Sequence, residues 1–174
     1  VARYSCAMDG KRAFDLCAGT ALMIATTPLV ALSALAIVCE DRASPLFVQE
    51  RLGRDKRPIR VAKLRTMGDG KITRVGRVLR ATGVDELPQL AQVIRGTMSL
   101  VGPRPLTASD VDRLGWRDSP RFDVRPGITG LAQLAPRCDA VLSAARDREY
   151  VARVSTRVDL RILAATALVP LIGR

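Results

Sequence analysis

Histidine is absent from the 174 residues of this chain, and aromatic residues make up only 3% of it. Without histidine the commonest general acid or base near neutral pH is missing, so such chemistry falls to a carboxylate, a cysteine or a lysine. The scarcity of aromatic rings disfavours binding of single-stranded nucleic acid, whose bases stack on them. We therefore expect no nucleic-acid partner.

Other familiar site patterns are also missing. None of the four cysteines belongs to a Cys-x-x-Cys pair, and a zinc site without histidine is not expected. We interpret them as free thiols in a reducing compartment, with Cys17 and Cys39 as packing residues. The chain contains neither a P-loop nor a Gly-x-Gly-x-x-Gly motif, so any phosphate must be bound by other residues.

Positive charge is in excess. The formal net charge of +11 implies an anionic partner, which can be nucleic acid, an acidic membrane surface or a phosphorylated substrate. A length of 174 residues suits one domain with its own core.

One long segment carries no charge at all. Leu16 to Cys39 is long enough to cross a bilayer as a helix. A single-pass anchor is one interpretation. The other is a re-entrant helix bent at Pro28, with the hydroxyls of Thr26 and Thr27 bonding freed carbonyls. Lys and Arg exceed acidic residues on both flanks, which is compatible with both ends on the cytoplasmic side and a monotopic protein.

A second apolar stretch, residues 158–174, is too short to span a bilayer and predicts an interfacial or docked helix. It is interrupted by Asp159 and Arg161. The sequence thus divides into an N-terminal segment with the membrane helix (1–42), a cytoplasmic catalytic domain (43–157) and this C-terminal apolar helix (158–174).

Between the apolar segments the pattern predicts an α+β, mostly helical domain. Residues 44–66 predict a β-hairpin turning at 53–58, and 68–70 a loop. Helices are expected over 73–82, from an Asp85 N-cap to Arg95, and over 108–116 and 140–154. Residues 101–105 and 125–130 predict rigid, irregular loops, because each contains proline.

Asp85 and Glu86 form an adjacent carboxylate pair at the head of the Asp-Glu-Leu-Pro-Gln-Leu run (85–90). Taken alone, such a pair is typical of a helix cap with dipole compensation. In a basic setting it also suits a nucleophile. The helix dipole and nearby cations predict a lowered pKa for Asp85. Successive helical residues point about 100° apart, so the two side chains are expected to have different roles.

Six basic residues are candidates for binding phosphate, because most lie in or beside loops stiffened by proline or glycine. The alternative for each is an ordinary solvated face. They are Lys63, Arg65, Arg80, Arg104, Arg125 and Arg137.

Several long motifs in fixed order resemble the bacterial sugar transferase family, the small monotopic phosphoglycosyl transferases. The resemblance runs from about Lys11 to Leu163. It rests on residues 11–15 (KRAFD), 44–47 (SPLF), 49–53 (QERLG), 63–67 (KLRTM), 72–77 (ITRVGR), 85–90 (DELPQL), 98–105 (MSLVGPRP) and 125–133 (RPGITGLAQ).

The resemblance implies transfer of a sugar-1-phosphate from a UDP-sugar to a polyprenyl phosphate, such as undecaprenyl phosphate, with release of UMP. It implies that Asp85 is the nucleophile and a Mg²⁺ ligand, that Glu86 completes the dyad, and that Lys63, Arg80 and Arg137 bind substrate. It also implies a re-entrant helix bent at Pro28 on the cytoplasmic face of the bacterial inner membrane, and it leaves a homodimer open.

The chain departs from the family pattern in three places, one of which is Thr27-Pro28 at the bend, where the family frequently has Ser-Pro. Only residues 68–71 separate the KLRTM and ITRVGR motifs, where the family has a longer stretch, and Arg137 follows Ala135-Pro136 where the family commonly has Gly-Arg. A non-enzymatic, basic, membrane-anchored module that binds anionic lipid or a protein is the alternative. It leaves the rigid arginine-bearing loops beside the dyad unexplained.

Overall fold

The computed structural model describes residues 2–135 and 139–172, and most of them are helical. Its six α-helices within these residues are α1 (Ala2–Asp41), α2 (Arg74–Thr82), α3 (Leu90–Arg95), α4 (Ala108–Leu114), α5 (Ala140–Ala152) and α6 (Thr156–Ile172). Short 3-10 helices occupy Arg54–Lys56, Val84–Gln89 and Pro120–Phe122. The strands are β1 (Leu46–Leu52), β2 (Pro58–Leu64), β3 (Met67–Gly68), β4 (Lys71–Ile72), β5 (Ser99–Val101) and β6 (Gly127–Thr129). The mostly helical α+β class is therefore confirmed.

The predicted β-hairpin is also confirmed. Strands β1 and β2 pair antiparallel, with Leu46 opposite Leu64 and Leu52 opposite Pro58. The loop predicted at 68–70 is tighter than expected, because β3 and β4 form a second hairpin around Asp69. The φ angles there are 47° at Asp69 and 75° at Gly70. Both lie in the left-handed region that a two-residue hairpin turn requires.

The prediction of two irregular proline loops is wrong in part. The two segments meet, and β5 pairs parallel to β6, with Ser99 opposite Gly127. Pro103 and Pro126 lie just outside the paired residues, so neither removes a hydrogen bond from the ladder. The backbones approach so closely at Gly102 and Gly127 that a Cβ on either would overlap main-chain atoms of the other segment.

Helix α1 is far longer than its apolar centre. Among the described residues it supplies the one helix long and apolar enough to cross a membrane, by length and composition. Large apolar side chains such as Ile24, Leu32 and Leu35 are exposed along it. Cys17 and Cys39 are free thiols as expected, but both are exposed, so their predicted packing role is wrong.

Helix α1 continues through Pro28. Thr26 and Thr27 donate their hydroxyls to the carbonyls of Leu22 and Met23, each at 2.7 Å. The carbonyl that loses its partner at a proline is that of residue i−4, here Ile24. The two hydroxyls therefore bond neighbouring carbonyls instead of the freed one. The bend and the re-entrant path stay predictions.

A buried ion pair fastens the start of α1 to α6. Lys11 is bonded to Asp159, and both side chains are almost completely buried. The Tyr150 hydroxyl donates to Asp159 at 2.8 Å and to the Val101 carbonyl at 2.9 Å, and Lys11 donates to the same carbonyl at 3.1 Å. Asp159 is thus an anchor in the core, and α6 is docked at its first turn.

The other end of α1 is fastened as well. The Glu40 carboxylate accepts from the backbone N–H groups of Arg74 and Val75 at the start of α2, each at 2.9 Å. Ile37 is buried against Leu64 and Leu79 in a small apolar cluster. The main core is a separate cluster and consists of Val61, Leu90, Val93, Met98, Leu100, Val101, Val124, Tyr150 and Ile162.

Candidate active site

The carboxylate pair lies in a 3-10 turn directly after α2. Gly83 ends α2 with a φ of 74°, and the helix Val84–Gln89 begins at once. The prediction that Asp85 is an N-cap is therefore wrong. With only Gly83 between the two helices, that glycine takes the cap position, and Asp85 is already inside the first turn.

Glu86 is held by two cations. Its Oε1 lies 2.5 Å from Lys63 Nζ and 3.2 Å from Arg104 Nη2. Burial raises the pKa of Glu86, but the attraction and hydrogen bonds of Arg104 and Lys63 outweigh burial, so the pKa lies below its ordinary value. Glu86 is therefore a fixed anion at neutral pH.

Asp85 has the opposite electrostatic environment. Its side chain is half-buried and forms no ion pair with any residue in the described part of the chain. Burial and the neighbouring Glu86 carboxylate raise the pKa of Asp85, and Lys63 and Arg80 offset this only in part. The predicted lowering of this pKa is wrong, because Glu86 takes up the nearest cations. The expectation that the two carboxylates have different roles stays a prediction, and their environments differ.

Arg80 reaches the site from α2. Its Nε donates to Thr66 Oγ1 at 2.8 Å, which ties the last turn of α2 to the segment after β2. The helix lies close to that segment because Gly76 has no Cβ to meet the Thr66 backbone. Arg80 is thereby held near Asp85, and its positive charge offsets part of the rise in the pKa of that carboxyl.

Arg121 fixes the backbone of Arg104 through a hydrogen bond. The buried Arg121 guanidinium donates to the Arg104 carbonyl at 2.5 Å and lies 5.0 Å from the Trp116 ring centre. It also lies 3.4 Å from Asp147, whose pKa burial raises to about 6 although Arg121 lowers it. The loop after β5 thus has a fixed conformation from which Arg104 extends to Glu86.

The structure gathers some of the predicted phosphate-binding residues and not others. Lys63, Arg80 and Arg104 surround the dyad. Arg65 instead donates to the Ser44 carbonyl at 2.8 Å. Burial, Arg12 and Arg54 lower the pKa of Arg125, which places this arginine among other cations. Arg137 lies outside the described residues.

A cavity beside Glu86 contains two residues that sequence reasoning missed, Arg51 and Gln89. The signal for Arg51 was present in the predicted hairpin. Arg51 pairs with Ile59 across the ladder, so it shares a face with Val61 and Lys63. Gln89 is 2% exposed and follows the dyad by one turn.

No group of three or more His, Cys, Asp or Glu side chains among the described residues could hold a metal on its own. Mg²⁺, however, commonly takes only one or two protein carboxylates and completes its shell with substrate phosphates and water. Asp85 is a carboxylate without an ion-pair partner in the described residues, so it fits such a site. Glu86 is already bonded to Lys63 and Arg104.

Comparison with known proteins identifies the family. Residues 6–173 match the sequence model described as "Bacterial sugar transferase". A UDP-glucose:undecaprenyl-phosphate glucose-1-phosphate transferase of Caulobacter vibrioides is 44% identical over 71% of this chain and 53% of its own length. An undecaprenyl-phosphate glucose phosphotransferase of Komagataeibacter xylinus is 38% identical, over 90% of this chain and 35% of its own length.

A third relative has a similar length to this chain. The exopolysaccharide production protein PSS of Rhizobium leguminosarum is 34% identical over 91% of this chain and 93% of its own length. By contrast, the chain spans about half of the Caulobacter relative and about a third of the Komagataeibacter one. The match over nearly all of its residues shows that this chain belongs to the bacterial sugar transferase family.

Proposed function

We propose that this protein transfers a sugar-1-phosphate from a UDP-sugar to a polyprenyl phosphate, and that Asp85 carries the phosphosugar between the two. The relatives named as undecaprenyl-phosphate transferases support the reaction class. The observation that carries the role of Asp85 is its lack of an ion-pair partner among the described residues, beside a Glu86 that has two.

The chemistry takes two displacements at one phosphorus. A carboxylate oxygen of Asp85 attacks the phosphorus that bears the sugar, the bond to the bridging oxygen breaks, and UMP leaves with that electron pair. An oxygen of the lipid phosphate then attacks the same phosphorus, and the bond to Asp85 breaks. The raised pKa of Asp85 suits a nucleophile, because a partly desolvated carboxylate is more basic than a surface one.

Electrostatics decides whether the first step can occur. A carboxylate and a diphosphate repel each other by about 4 kcal/mol per pair of charges at 4 Å and an effective dielectric of about 20. Lys63, Arg80 and Arg104 supply fixed positive charge around the dyad. A Mg²⁺ ion bound by Asp85 and the phosphates would supply further charge neutralisation and polarise phosphorus. Glu86 holds Lys63 and Arg104 in place.

The location we propose is the cytoplasmic face of the bacterial inner membrane, with α1 entering and leaving on the same side. The support is that Lys11 and Glu40, which lie on either side of the uncharged stretch of α1, both contact the same folded domain. A lipid phosphate at headgroup depth and a water-soluble UDP-sugar would then meet at the dyad.

The test is a UMP-release assay with Mg²⁺, short-chain polyprenyl phosphate and a panel of UDP-sugars. Asp85→Asn should abolish transfer, because an amide cannot form the covalent phosphosugar, while its thermal unfolding stays cooperative. Incubation of the wild type with radiolabelled UDP-sugar and no acceptor should leave label on the protein. The matched control is Asp118→Asn, which removes an equally charged but fully exposed aspartate.

Two outcomes would contradict this function. Full turnover by Asp85→Asn rules out its role as nucleophile. A wild-type protein that releases no UMP with any UDP-sugar, yet binds anionic vesicles, would favour the non-enzymatic membrane module instead.

A further inference from the structure

The cavity beside the dyad holds more positive charge than its carboxylate balances. Arg51, Lys63 and Arg104 line it together with Glu86. Glu86 is bonded to Lys63 and Arg104 but has no bond to Arg51. Asp110 also attracts Arg51, but it is already bonded to Thr107 and Arg113. The cavity therefore has a surplus of positive charge that an anion would neutralise.

The guanidinium of Arg51 is held rigidly in this cavity. Its Nε and Nη2 donate to Gln49 Oε1, at 3.1 and 2.5 Å, and its Nη1 donates to the Pro105 carbonyl at 3.0 Å. These bonds use one hydrogen from each nitrogen, and both Nη atoms keep a second hydrogen. A planar guanidinium with two spare donors matches two oxygens of a phosphate.

The rigid placement is costly for Arg51 itself. Burial and the nearby Arg104 both lower the pKa of Arg51, so the folded protein holds the Arg51 guanidinium partly out of water and close to a second guanidinium. A bound anion between them would relieve both effects. Such an arrangement is expected where a ligand supplies the missing negative charge.

Gln89 supplies an independent sign of a ligand. This residue is only 2% exposed and lines the same cavity. Its Nε2 has no acceptor among the residues that the structure describes. A buried amide donor without an acceptor is costly, and a ligand oxygen in the cavity would satisfy it.

We propose that Arg51 and Gln89, together with Lys63 and Arg104, form a phosphate-binding subsite next to Glu86. This inference rests on the proposed function for its choice of substrates. The phosphate can come from the nucleoside diphosphate of the UDP-sugar or from the monophosphate of the polyprenyl acceptor. Arg51 grips two phosphate oxygens, and the Gln89 amide donates to another oxygen of the same group.

The experiment measures binding instead of turnover. Wild-type protein and variants in lipid nanodiscs are titrated with UDP and, separately, with a short-chain polyprenyl phosphate. Arg51→Gln and Gln89→Glu should each weaken binding of one probe by about tenfold or more, the usual effect of losing a charge-assisted hydrogen bond. Gln89→Glu preserves shape and adds a repelling charge. Arg51→Lys keeps the charge but loses the bidentate hydrogen bonding, so its affinity for the probe should fall by less.

The matched control is Arg60→Gln. Arg60 lies on the same hairpin, one residue out of phase with Val61 and Lys63, and is exposed. The variant removes an equal charge from the opposite face and should bind both probes as the wild type does. Thermal unfolding checks each variant, and Arg51→Lys replaces Arg51→Gln if the latter has lost its fold.

Weaker UDP binding assigns the subsite to the nucleotide, and weaker binding of the lipid alone assigns it to the acceptor. The subsite is refuted if Arg51 and Gln89 variants bind both probes as Arg60→Gln does, or if the wild type binds neither. Failure of the proposed function is a separate result, since it shows as absent UMP release by a protein whose Arg51-dependent binding is intact.

Discussion

Two adjacent carboxylates of this protein have pKa values shifted in opposite directions, and their neighbours explain why. Glu86 lies against Lys63 and Arg104, so its charged form is stabilised. Asp85 is half-buried beside the charge of Glu86 and has weaker help from Lys63 and Arg80. The folded protein therefore favours ionised Glu86 and disfavours ionised Asp85, which gives two neutral substitutions opposite effects on stability.

Asp85→Asn should raise the unfolding temperature at neutral pH, and Glu86→Gln should lower it. The first removes a charge that folding penalises. We expect a rise of about 1–2 °C, small because solvent screens a half-exposed group. The second removes the partner of two cations and should cost about 1–3 kcal/mol. Thermal unfolding in nanodiscs without divalent cations measures both shifts. Shifts of the same sign would contradict the assigned environments.

The same pKa shifts determine how the stability differences between each variant and the wild type depend on pH. Asp85 has a raised folded-state pKa, so its penalty exists at neutral pH and disappears as the pH falls below the ordinary value of 3.8. Glu86 has a lowered one, so its contribution is present above the ordinary value of 4.5 and is lost as the pH falls through its folded-state pKa. The unfolding temperatures of both variants should therefore approach that of the wild type in acid.

The sequence was sufficient to find the dyad and three of its cations, because they lie in recognisable motifs. It was not sufficient for the direction of the pKa shift of Asp85. That direction depends on the ion pair of Glu86 with Lys63, which lies 23 positions away in the sequence. Gln89 and Asp159 were also missed as special residues. A polar side chain in an apolar run looks like a solvated one until tertiary contacts show that it is buried.

At the scale of elements, helix α1 is attached to the domain by buried polar contacts near its start, in addition to the apolar packing of Ile37 near its end. Lys11 pairs with Asp159 of α6, and Arg12 donates to the carbonyls of Val93 and Ile94 at 2.6 and 2.7 Å. These carbonyls lie in the last turn of α3, where a cation is also favoured by the helix dipole. The sequence predicted a helix only from Leu16 to Cys39 and left Lys11 and Arg12 in the segment before it, since composition alone does not show such tertiary contacts.

Lys11→Met should destabilise the protein by about 3–5 kcal/mol, because it leaves Asp159 as a buried carboxylate without its cation. The double variant Lys11→Met/Asp159→Leu should recover most of this loss, since it removes both charges. Equilibrium unfolding by denaturant measures each variant.

The matched control for the buried pair is an exposed one. Arg117 lies 2.6 Å from Asp112 on the surface, and Arg117→Met should cost less than about 1 kcal/mol. A double variant of Lys11 and Asp159 that is no more stable than Lys11→Met would show that the pair is not an isolated unit.

The pairing of β5 with β6 depends on two glycines. Gly102→Ala should destabilise the protein by about 1–3 kcal/mol, because its Cβ would overlap the backbone at Arg125 and Gly127. It should also lower transfer activity, since Arg104 follows two residues later. Gly10→Ala is the control, with no atom within 4 Å of the added methyl, and should be neutral or slightly stabilising. Equal effects of the two substitutions would contradict the close backbone approach.

At the scale of the whole molecule, the contacts at the two ends of α1 bear on how the protein meets the membrane. Lys11 and Glu40 lie near opposite ends of an apolar helix, yet both bind the same folded domain. A helix that crossed the bilayer would place its ends about 30 Å apart on opposite sides. One water-exposed domain does not reach both sides, so a path that enters and leaves on one face agrees better with these contacts.

Single-cysteine labelling tests this path directly. In a variant without the four native cysteines, Gly10→Cys and Asp118→Cys mark the start of α1 and the exposed surface of the domain. Both should react with a membrane-impermeant maleimide in inside-out vesicles and neither in intact spheroplasts, because the proposed path places both on the cytoplasmic side. Ile24→Cys, in the exposed apolar middle of α1, should be protected in both preparations. Labelling of Gly10→Cys from the outside would mean that α1 spans the membrane, and the contacts of Lys11 with Val101 and Asp159 would then be incompatible with the membrane-bound protein.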